Sequence, residues 1–314
     1  MTEVVAMIEA ADENTKPFAF LEKVRCIYAS DFFVYTAGNE KSMAQDIKKF
    51  QKEIWKHYRS HGRHDMLWRK TTNPYRIAVS EIMLQQTQVA RVTEKYGLFI
   101  KKFPSFASLA RASLSEVLKA WHGLGYNRRA LSLKKLAEIV MHEYKGKLPH
   151  EPEELVKLPG VGAATAGSIA AFAFNHPSIF IETNIRRVFI HFFFPRGKKV
   201  SDDTIMRLVA QAMDLKNPRE WYLALMDYGT MLANREKENP NRKSAHYVRQ
   251  KPFVGSDRQV RGKIVALLVK RKSLSVYMAA QQTNEPAERI EKIFAQLKKE
   301  GFVRRTAKAF CIAA

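Results

Sequence analysis

Two glutamates lie in sequence surroundings of opposite character, and together they suggest acid–base chemistry. Glu81 lies in the segment Pro74–Leu84, which is apolar on nearly every side and is therefore predicted to be a buried helix. Burial raises the pKa of a carboxyl group and makes it a usable general acid near neutral pH. For Glu81 alone, the commoner explanation is a glutamate that emerges at the end of the helix or is paired for structural reasons.

Glu182 has the opposite setting, because it directly precedes a predicted helix that begins near Asn184. The dipole at a helix N-terminus favours the ionised form of a carboxyl group. Cleavage of a glycosidic bond needs one carboxyl group that holds a proton for the leaving group and one that stays charged beside the developing cation. The alternative for Glu182 is a residue near a helix cap without a catalytic role.

A pair of glycines indicates a phosphate-binding turn. Gly160 and Gly162 stand at the entrance of a helix of small residues, Ala163–Ala173. The backbone N–H groups of such a turn, together with the helix N-terminus, bind an anion. With an upstream helix over Glu153–Lys157, the sequence predicts a helix-hairpin-helix that grips a DNA phosphate without reading bases. A tight interhelical turn without a ligand is the alternative.

The charge of the chain favours a polyanionic partner. The 314 residues include 53 Lys and Arg against 31 Asp and Glu, a net charge of +22. A surplus of this size is typical of proteins that bind nucleic acid. An anionic membrane surface is the second candidate, and a generically basic protein without such a partner is the third.

Composition also bounds location and cofactors. No run of 18 apolar residues and no signal peptide is seen, so we expect a cytoplasmic protein, associated with the nucleoid if the source is prokaryotic. Cys26 and Cys311 cannot supply a disulfide framework or a four-thiolate cluster, and they favour a reducing compartment. His57, His61 and His64 have helical spacing but lack a complete ligand set, so no metal is expected there.

The elements that must position these residues are mainly helices. Asn73 followed by Pro74 is a helix start. Three helices and two β-like runs near the C-terminus predict a small winged-helix-like α+β module; an ordinary helical appendage is the alternative, at even weight. Its third helix carries Arg289, Lys292, Lys298 and Lys299 toward a duplex. The predicted segments are 43–61, 74–84, 88–101, 113–121, 127–145, 151–157, 163–174, 184–193, 201–213, 218–232, 257–272, 275–282 and 286–300, then the β-like runs 302–304 and 309–313.

The order and spacing of several motifs resemble the helix-hairpin-helix DNA glycosylases, above all the endonuclease III-like MutY-type adenine DNA glycosylases. The resemblance covers roughly residues 46–233 and implies an all-α, two-lobed fold, extended here by the winged-helix-like α+β module. The motifs are Asn73–Val89, Trp121–Arg128, Leu158–Gly162, Glu182–Asn184 and Met226–Gly229.

The resemblance implies a role for each matching residue. Glu81 resembles the acid that protonates adenine at N7, Glu182 stands in the place of the aspartate that stabilises the cation, and Asn184 in that of its helper. Gln86 and Tyr126 resemble the wedges that fill the stack after the base is flipped out. Gly160 and Gly162 resemble the phosphate-binding hairpin, which also allows a monovalent cation, and Arg128 is a further expected DNA contact.

The chain also departs from the family pattern. Glu182 replaces an aspartate and is expected to cap its helix less well, and Asn127 stands where a second tyrosine is common. Ala164 replaces the Tyr or Ser of adenine-specific members and the Lys of bifunctional ones, so lyase activity is not expected. The four iron–sulfur cysteines are absent after the Met226–Gly229 motif, and no Nudix-like C-terminal domain is visible.

Three hypotheses follow. The first is a monofunctional, cluster-free glycosylase that removes adenine mispaired with 8-oxoguanine or guanine; the second keeps the fold but removes thymine or uracil opposite guanine; the third is a non-catalytic DNA-binding protein. Double-stranded DNA with a mispaired or damaged base is the expected partner of a monomer that binds no membrane. The predicted domains are an N-terminal extension (1–45), a glycosylase domain (46–233), a basic linker in place of the iron–sulfur loop (234–256) and the winged-helix-like module (257–314).

Overall fold

The computed structural model of the protein describes residues 40–248 and 252–313. Most of these residues are helical, which confirms the predicted fold class. Residues 1–39 of the predicted N-terminal extension, with Cys26, lie outside the described residues. The helices are α1 (Glu40–His61), α2 (Pro74–Leu84), α3 (Val89–Lys102), α4 (Phe106–Arg111), α5 (Leu114–Ala120), α6 (Arg128–His142), α7 (Pro152–Leu155), α8 (Ala163–Phe174), α9 (Thr183–Phe193), α10 (Asp202–Ala212), α11 (Pro218–Arg235), α12 (Asp257–Arg271), α13 (Val276–Thr283) and α14 (Ala287–Lys299).

The helices begin where local sequence signals place their first residues. The side chain of Asn73 accepts a hydrogen bond from the backbone N–H of Arg76 and caps α2, as predicted. Helix α4 has no counterpart among the predicted helices; it is one and a half turns long and begins with a capping box formed by Ser105 and Ser108. A helix this short carries too few apolar positions to show the helical period in the sequence.

The chain divides into two compact units, and its path passes between them several times. Of the described residues, the first unit comprises 40–72, His150–Glu153 and Gly162–Val248. The second comprises Asn73–Pro149, Glu154–Val161 and 252–313, so the C-terminal segment groups with α2–α6. The predicted domain boundaries are drawn along the sequence rather than by contacts, and they stay a prediction.

An aromatic core holds the first unit together around α1, α9 and α11. The ring of Phe50 lies 5.1 Å from that of Phe189 and 5.8 Å from that of Trp221. Asp227 on α11 is buried beside this core and forms ion pairs with Arg63 and Arg69. Burial raises the pKa of the Asp227 carboxyl, but the hydrogen bonds and charges of the two arginines outweigh it and leave the pKa lowered.

Helix α2 belongs to the second unit and is buried as its composition predicts. Trp121, at the end of α5, is fully buried, and its indole N–H donates to the backbone oxygen of Gly125 at 3.0 Å. That bond ties the Trp121–Arg128 motif back onto the core before α6 begins. The unit therefore presents the turns after α2 and before α6 on firmly packed helices.

The C-terminal module has the predicted order of three helices and a hairpin. Strands β1 (Val303–Arg305) and β2 (Phe310–Ile312) pair antiparallel, and Leu274 adds a bridge to Phe310. Phe310 stacks on Phe294 of α14, with 4.2 Å between the ring centroids. Two of the residues expected to face a duplex are engaged within the module: Arg289 pairs with Asp257 and Glu285, and Lys292 pairs with Glu288.

Candidate active site

Glu182 is the N-cap residue of α9, which confirms its predicted position at a helix N-terminus. Its Oε1 accepts hydrogen bonds from the backbone N–H groups of Asn184 at 2.7 Å and Ile185 at 2.8 Å. One oxygen of Glu182 thus satisfies two of the orphan donors of the helix, and the expectation that an aspartate would cap it better stays a prediction. The extended backbone of Glu182, with φ −132° and ψ 179°, lets the longer side chain fold back onto α9.

Burial raises the pKa of the Glu182 carboxyl, and the two backbone N–H groups and the charges of Arg187 and Arg186 oppose that rise. The net direction is the reverse of the one that the helix dipole alone predicts. Both oxygens of the carboxyl accept from N–H donors, since Oε2 accepts from the side-chain amide of Asn184 at 3.2 Å. These donors therefore hold the carboxylate in one orientation, while burial makes its charged form costly because the charge loses its hydration.

Arg187 fixes the orientation of the Asn184 amide. Its Nη1 donates to Oδ1 of Asn184 and to the backbone oxygen of Gly229, both at 2.8 Å. Because Oδ1 faces a guanidinium, the NH₂ group must face Glu182. A Cβ on Gly229 would lie 2.6 Å from the Cβ of Asn184, which explains the glycine at the end of the Met226–Gly229 motif. Arg187 is not among the predicted site residues, because nothing in the sequence separates it from its charged neighbour Arg186.

The segment 236–248, which follows α11, packs against α9 in the position where the resemblance places an iron–sulfur loop. Oδ1 of Asn239 accepts from Nε of Arg187 at 3.4 Å, and the amide of Asn241 donates to the backbone oxygen of Thr183 at 3.0 Å. The backbone of Val200 bonds the segment on both sides, at 2.8 Å each. Its donor set is oxygen and nitrogen, and two cysteines in the whole chain cannot ligate a four-thiolate cluster, so these residues do not fit that group.

Glu81 lies in the last turn of α2 and is only half-buried, whereas its neighbours Ser80 and Ile82 are fully buried. The prediction of a buried helix is confirmed, and Glu81 itself lies at the edge of the packed face. A partly exposed carboxyl is what an acid that must reach a substrate requires.

Gln86 and Tyr126 share an uncommon backbone conformation. Their φ values are 52° and 45°, in the left-handed region that side chains larger than glycine seldom adopt. Gln86 is exposed, and Tyr126 exposes 38% of its surface. Such strain persists only where the surroundings impose it, and it gathers at ligand-contact sites. Both residues lie in tight turns, after α2 and before α6, from which their side chains project.

One guanidinium, that of Arg129, joins these two turns. Arg129 is 8% exposed, and burial lowers its pKa to about 10. Its Nη1 and Nη2 atoms donate six hydrogen bonds. The acceptors are the backbone oxygens of Ile82, Met83, Gln85, Leu124 and Gly125 and Oγ1 of Thr87, at 2.6–3.2 Å. The neighbouring Arg128 is among the predicted site residues and Arg129 is not, because nothing local reveals where a buried arginine donates.

The predicted hairpin turn is present between α7 and α8. Gly160 has φ +81°, and a Cβ there would lie 2.7 Å from the Cβ of Ser132, so a glycine is required. Gly162 is the N-cap of α8 and leaves open space where a side chain would be. The amide of Gln85 donates to the backbone oxygen of Gly160 at 3.0 Å, which ties this turn to the turn that carries Gln86.

Arg128, the first residue of α6, forms an ion pair with Glu300 at the end of α14. The side chain of Arg128 is still 61% exposed, so the expected DNA contact is compatible with this pair. The structure thus gathers Gln86, Tyr126, Arg128 and Gly160 in the second unit. Glu182 and Asn184 are gathered in the first, and Glu81 belongs to the second.

Over residues 40–248 and 252–313, no helix is long and apolar enough to cross a membrane. Within the same ranges, no three His, Cys, Asp or Glu side chains are grouped as metal ligands. The rings of His57 and His61 stack with centroids 5.1 Å apart.

The chain is similar to known DNA-repair proteins. A profile described as HhH-GPD superfamily base excision DNA repair protein matches residues 79–212. The adenine DNA glycosylase of Mycolicibacterium smegmatis is 32% identical over 268 residues, covering 79% of this chain and 90% of that protein. The adenine DNA glycosylase of Buchnera aphidicola subsp. Baizongia pistaciae is 35% identical over 192 residues, covering 61% of this chain and 54% of that protein. The chain thus spans about half the length of the Buchnera relative.

A solved structure is similar as well. The structure of a thermostable thymine-DNA glycosylase aligns with a TM-score of 0.57 and 26% sequence identity. The alignment covers 63% of this chain and 93% of that one. It extends the likeness from sequence to fold over most of the solved chain.

Proposed function

The chain belongs to the HhH-GPD superfamily of base excision DNA repair proteins, and on that premise we propose that it is a monofunctional DNA glycosylase that removes adenine mispaired with 8-oxoguanine or guanine. The observation that carries the proposal is the Glu182 carboxylate, fixed at the N-terminus of α9 by Asn184 and Ile185. The adenine DNA glycosylases among the relatives support the choice of base.

In the proposed reaction, Glu81 gives its proton to N7 of adenine, and the electrons of the bond between C1′ and N9 leave with the base. The ionised Glu182 stabilises the cation that develops on the sugar. Water then adds to C1′ and releases a proton, so the products are free adenine and an abasic strand. Asn184, held by Arg187, keeps the carboxylate of Glu182 directed toward one place.

The absence of lyase activity is part of the proposal. A lyase of this kind needs an amine that attacks C1′ and forms an imine. Ala164, an exposed residue in the first turn of α8, supplies no such group. The strand should therefore stay intact after base release until alkali cleaves it.

Binding of a mispaired duplex rests on three features in the proposal. The turns of Gln86 and Tyr126 fill the stack once the base has left it, the Gly160 turn with the start of α8 binds a phosphate, and the net charge of +22 strengthens both. We propose that the protein acts as a monomer on chromosomal DNA in the cytoplasm or nucleoid, and that a monovalent cation can join the hairpin.

We also propose that the protein works without an iron–sulfur cluster. The observation in support is the segment 236–248, whose asparagines and backbone bond α9 and the strand-like residue Val200. A purified sample should be colourless. A brown cluster absorbance band would contradict this part of the proposal without affecting the choice of base.

A panel of duplex oligonucleotides that carries each base pair in turn, including adenine opposite 8-oxoguanine, tests the function. Base release followed by alkaline strand scission should be fastest for adenine opposite 8-oxoguanine or guanine. The second candidate, removal of thymine or uracil opposite guanine, draws support from the likeness to the thymine-DNA glycosylase structure. Scission only for those pairs would favour it, and binding without scission of any pair would favour a non-catalytic DNA-binding protein.

A further inference from the structure

The first turn of α12, in the C-terminal module, reaches the side chain of Tyr126. Nη1 of Arg258 donates a hydrogen bond of 3.0 Å to the Tyr126 hydroxyl, and the Cζ atom of Arg258 lies 6.0 Å from the ring centroid. The Cζ atom of Arg129 lies 5.4 Å from the same centroid. Two cations therefore approach one aromatic ring, an arrangement that is favourable because the ring face is negative.

The helix that carries Arg258 is fixed one turn later. Arg261 forms an ion pair with Glu300, and Glu300 also pairs with Arg128 at the start of α6. The Cζ atom of Arg261 lies 5.1 Å from the ring centroid of the buried Phe302. Glu300 thus joins α12 to the residue that lies two positions after Tyr126. Arg258 is presented to Tyr126 by a helix that is itself held in place.

An aromatic wedge needs a defined direction. Tyr126 has a left-handed backbone conformation and a partly exposed ring, so its own turn does not restrict the ring fully. Arg129 contacts the turn and the ring from within the glycosylase core, and Arg258 holds the hydroxyl at the far end of the side chain. A side chain that is already oriented loses less conformational entropy when it enters the base stack.

We propose that Arg258 is a positioning residue for Tyr126, through which the C-terminal module takes part in filling the base stack and not only in binding the DNA backbone. The proposal rests on the proposed function, because it treats Tyr126 as a wedge. The C-terminal module then acts at the lesion itself, through the hydrogen bond between Arg258 and Tyr126.

The test measures the preference of the full-length protein for a duplex with a tetrahydrofuran abasic analogue over the same duplex without it. This ratio depends on filling a gap in the stack and not on which base is excised. The variants are R258M, R258K, Y126F and the double variant of R258M with Y126F. K263M is the matched control, because it removes one charge from an exposed position of the same helix. Thermal melting of each variant checks folding.

R258M and Y126F should each lower the preference by roughly tenfold, the value of one hydrogen bond to a charged donor. The double variant should be no worse than either single one, and R258K should keep part of the preference. K263M should weaken binding to both duplexes equally and leave the ratio unchanged.

Two results would overturn the inference while leaving the function intact: an effect of R258M equal to that of K263M, or losses that multiply in the double variant. A wild-type protein without any preference for the abasic duplex would contradict the proposed function itself.

Discussion

The Glu182 carboxylate and the two wedge turns are held in place by contacts of different range. Glu182 is fixed by residues two and three positions ahead, in the first turn of its own helix. The turns of Gln86 and Tyr126 are fixed by Arg129, whose acceptors lie up to 47 positions away along the chain. The capping bonds of the carboxylate are therefore local to one helix, whereas the wedge region depends on one buried side chain that joins distant segments.

The largest effect is expected from Glu81→Gln, which keeps the shape of the side chain but removes the proton. Single-turnover excision should fall by at least about a hundredfold, as expected for loss of a general acid. Duplex affinity should stay within a few-fold of wild type, because the wedge and hairpin turns are untouched. Excision within a few-fold of the wild-type rate would show that Glu81 is not the acid.

Arg129→Met tests the dependence of the wedge region on one guanidinium. The variant removes the guanidinium from the buried backbone oxygens of Ile82, Met83 and Leu124, so the free energy of unfolding should fall by about 3–5 kcal/mol. Arg129→Lys should also lower the free energy of unfolding, because one ammonium group cannot bond to the acceptors of both turns. Denaturant unfolding measures the loss.

The matched control is Arg128→Met, at the neighbouring position. Its exposed ion pair with Glu300 should contribute less than about 1 kcal/mol. Equal losses for the two variants would contradict the assignment of Arg129 as the shared anchor of the turns.

The pH dependence of excision tests the Glu182 site. Burial raises the pKa of this carboxyl, and the reaction needs its charge. As the pH is lowered, the carboxyl should therefore become protonated at a pH above the usual pKa of glutamate. The rate should then fall by about tenfold for each pH unit below that pKa. The charged groups around Glu182 are Arg187 and Arg186, and Arg186 is itself paired with Asp202. A rate that is constant down to the ordinary glutamate pKa, about 4.3, would contradict the assignment.

The smallest effect is expected from Ala164→Lys, which should give the protein a weak strand-cleaving (lyase) activity. In the first turn of α8, the positive end of the helix dipole would lower the pKa of a lysine, which would then supply some free amine. It should cut a fraction of strands without alkali and give a complex that borohydride traps. If the variant excises the base but never traps, Ala164 does not face the sugar. Covalent trapping by the wild type would reveal another nucleophile and end the monofunctional assignment.

The features that could be predicted from the sequence are those that depend on neighbouring residues. The N-cap role of Glu182, the hairpin glycines and the C-terminal order of three helices and a hairpin depend on neighbours within a few residues, and all were predictable. Arg129 and Asn239 were not, since their partners are brought near only by the fold. The bond between Arg258 and Tyr126 joins residues 132 positions apart.

The direction of the Glu182 pKa could not be predicted for a related reason. The helix dipole is visible in the sequence as a helix start, but the desolvation that outweighs it depends on packing from several elements. The half-buried state of Glu81 is a similar case, because a helical pattern does not show where the packed face of a helix ends.

Single-turnover reaction of the wild-type protein with a duplex that carries one adenine opposite 8-oxoguanine tests the proposed mechanism most directly. We expect release of free adenine, a strand that stays intact until alkali is added, and no covalent complex with borohydride. Strand cleavage without alkali would contradict the monofunctional mechanism. An adenine that stays attached, while the duplex is bound, would contradict the proposed activity.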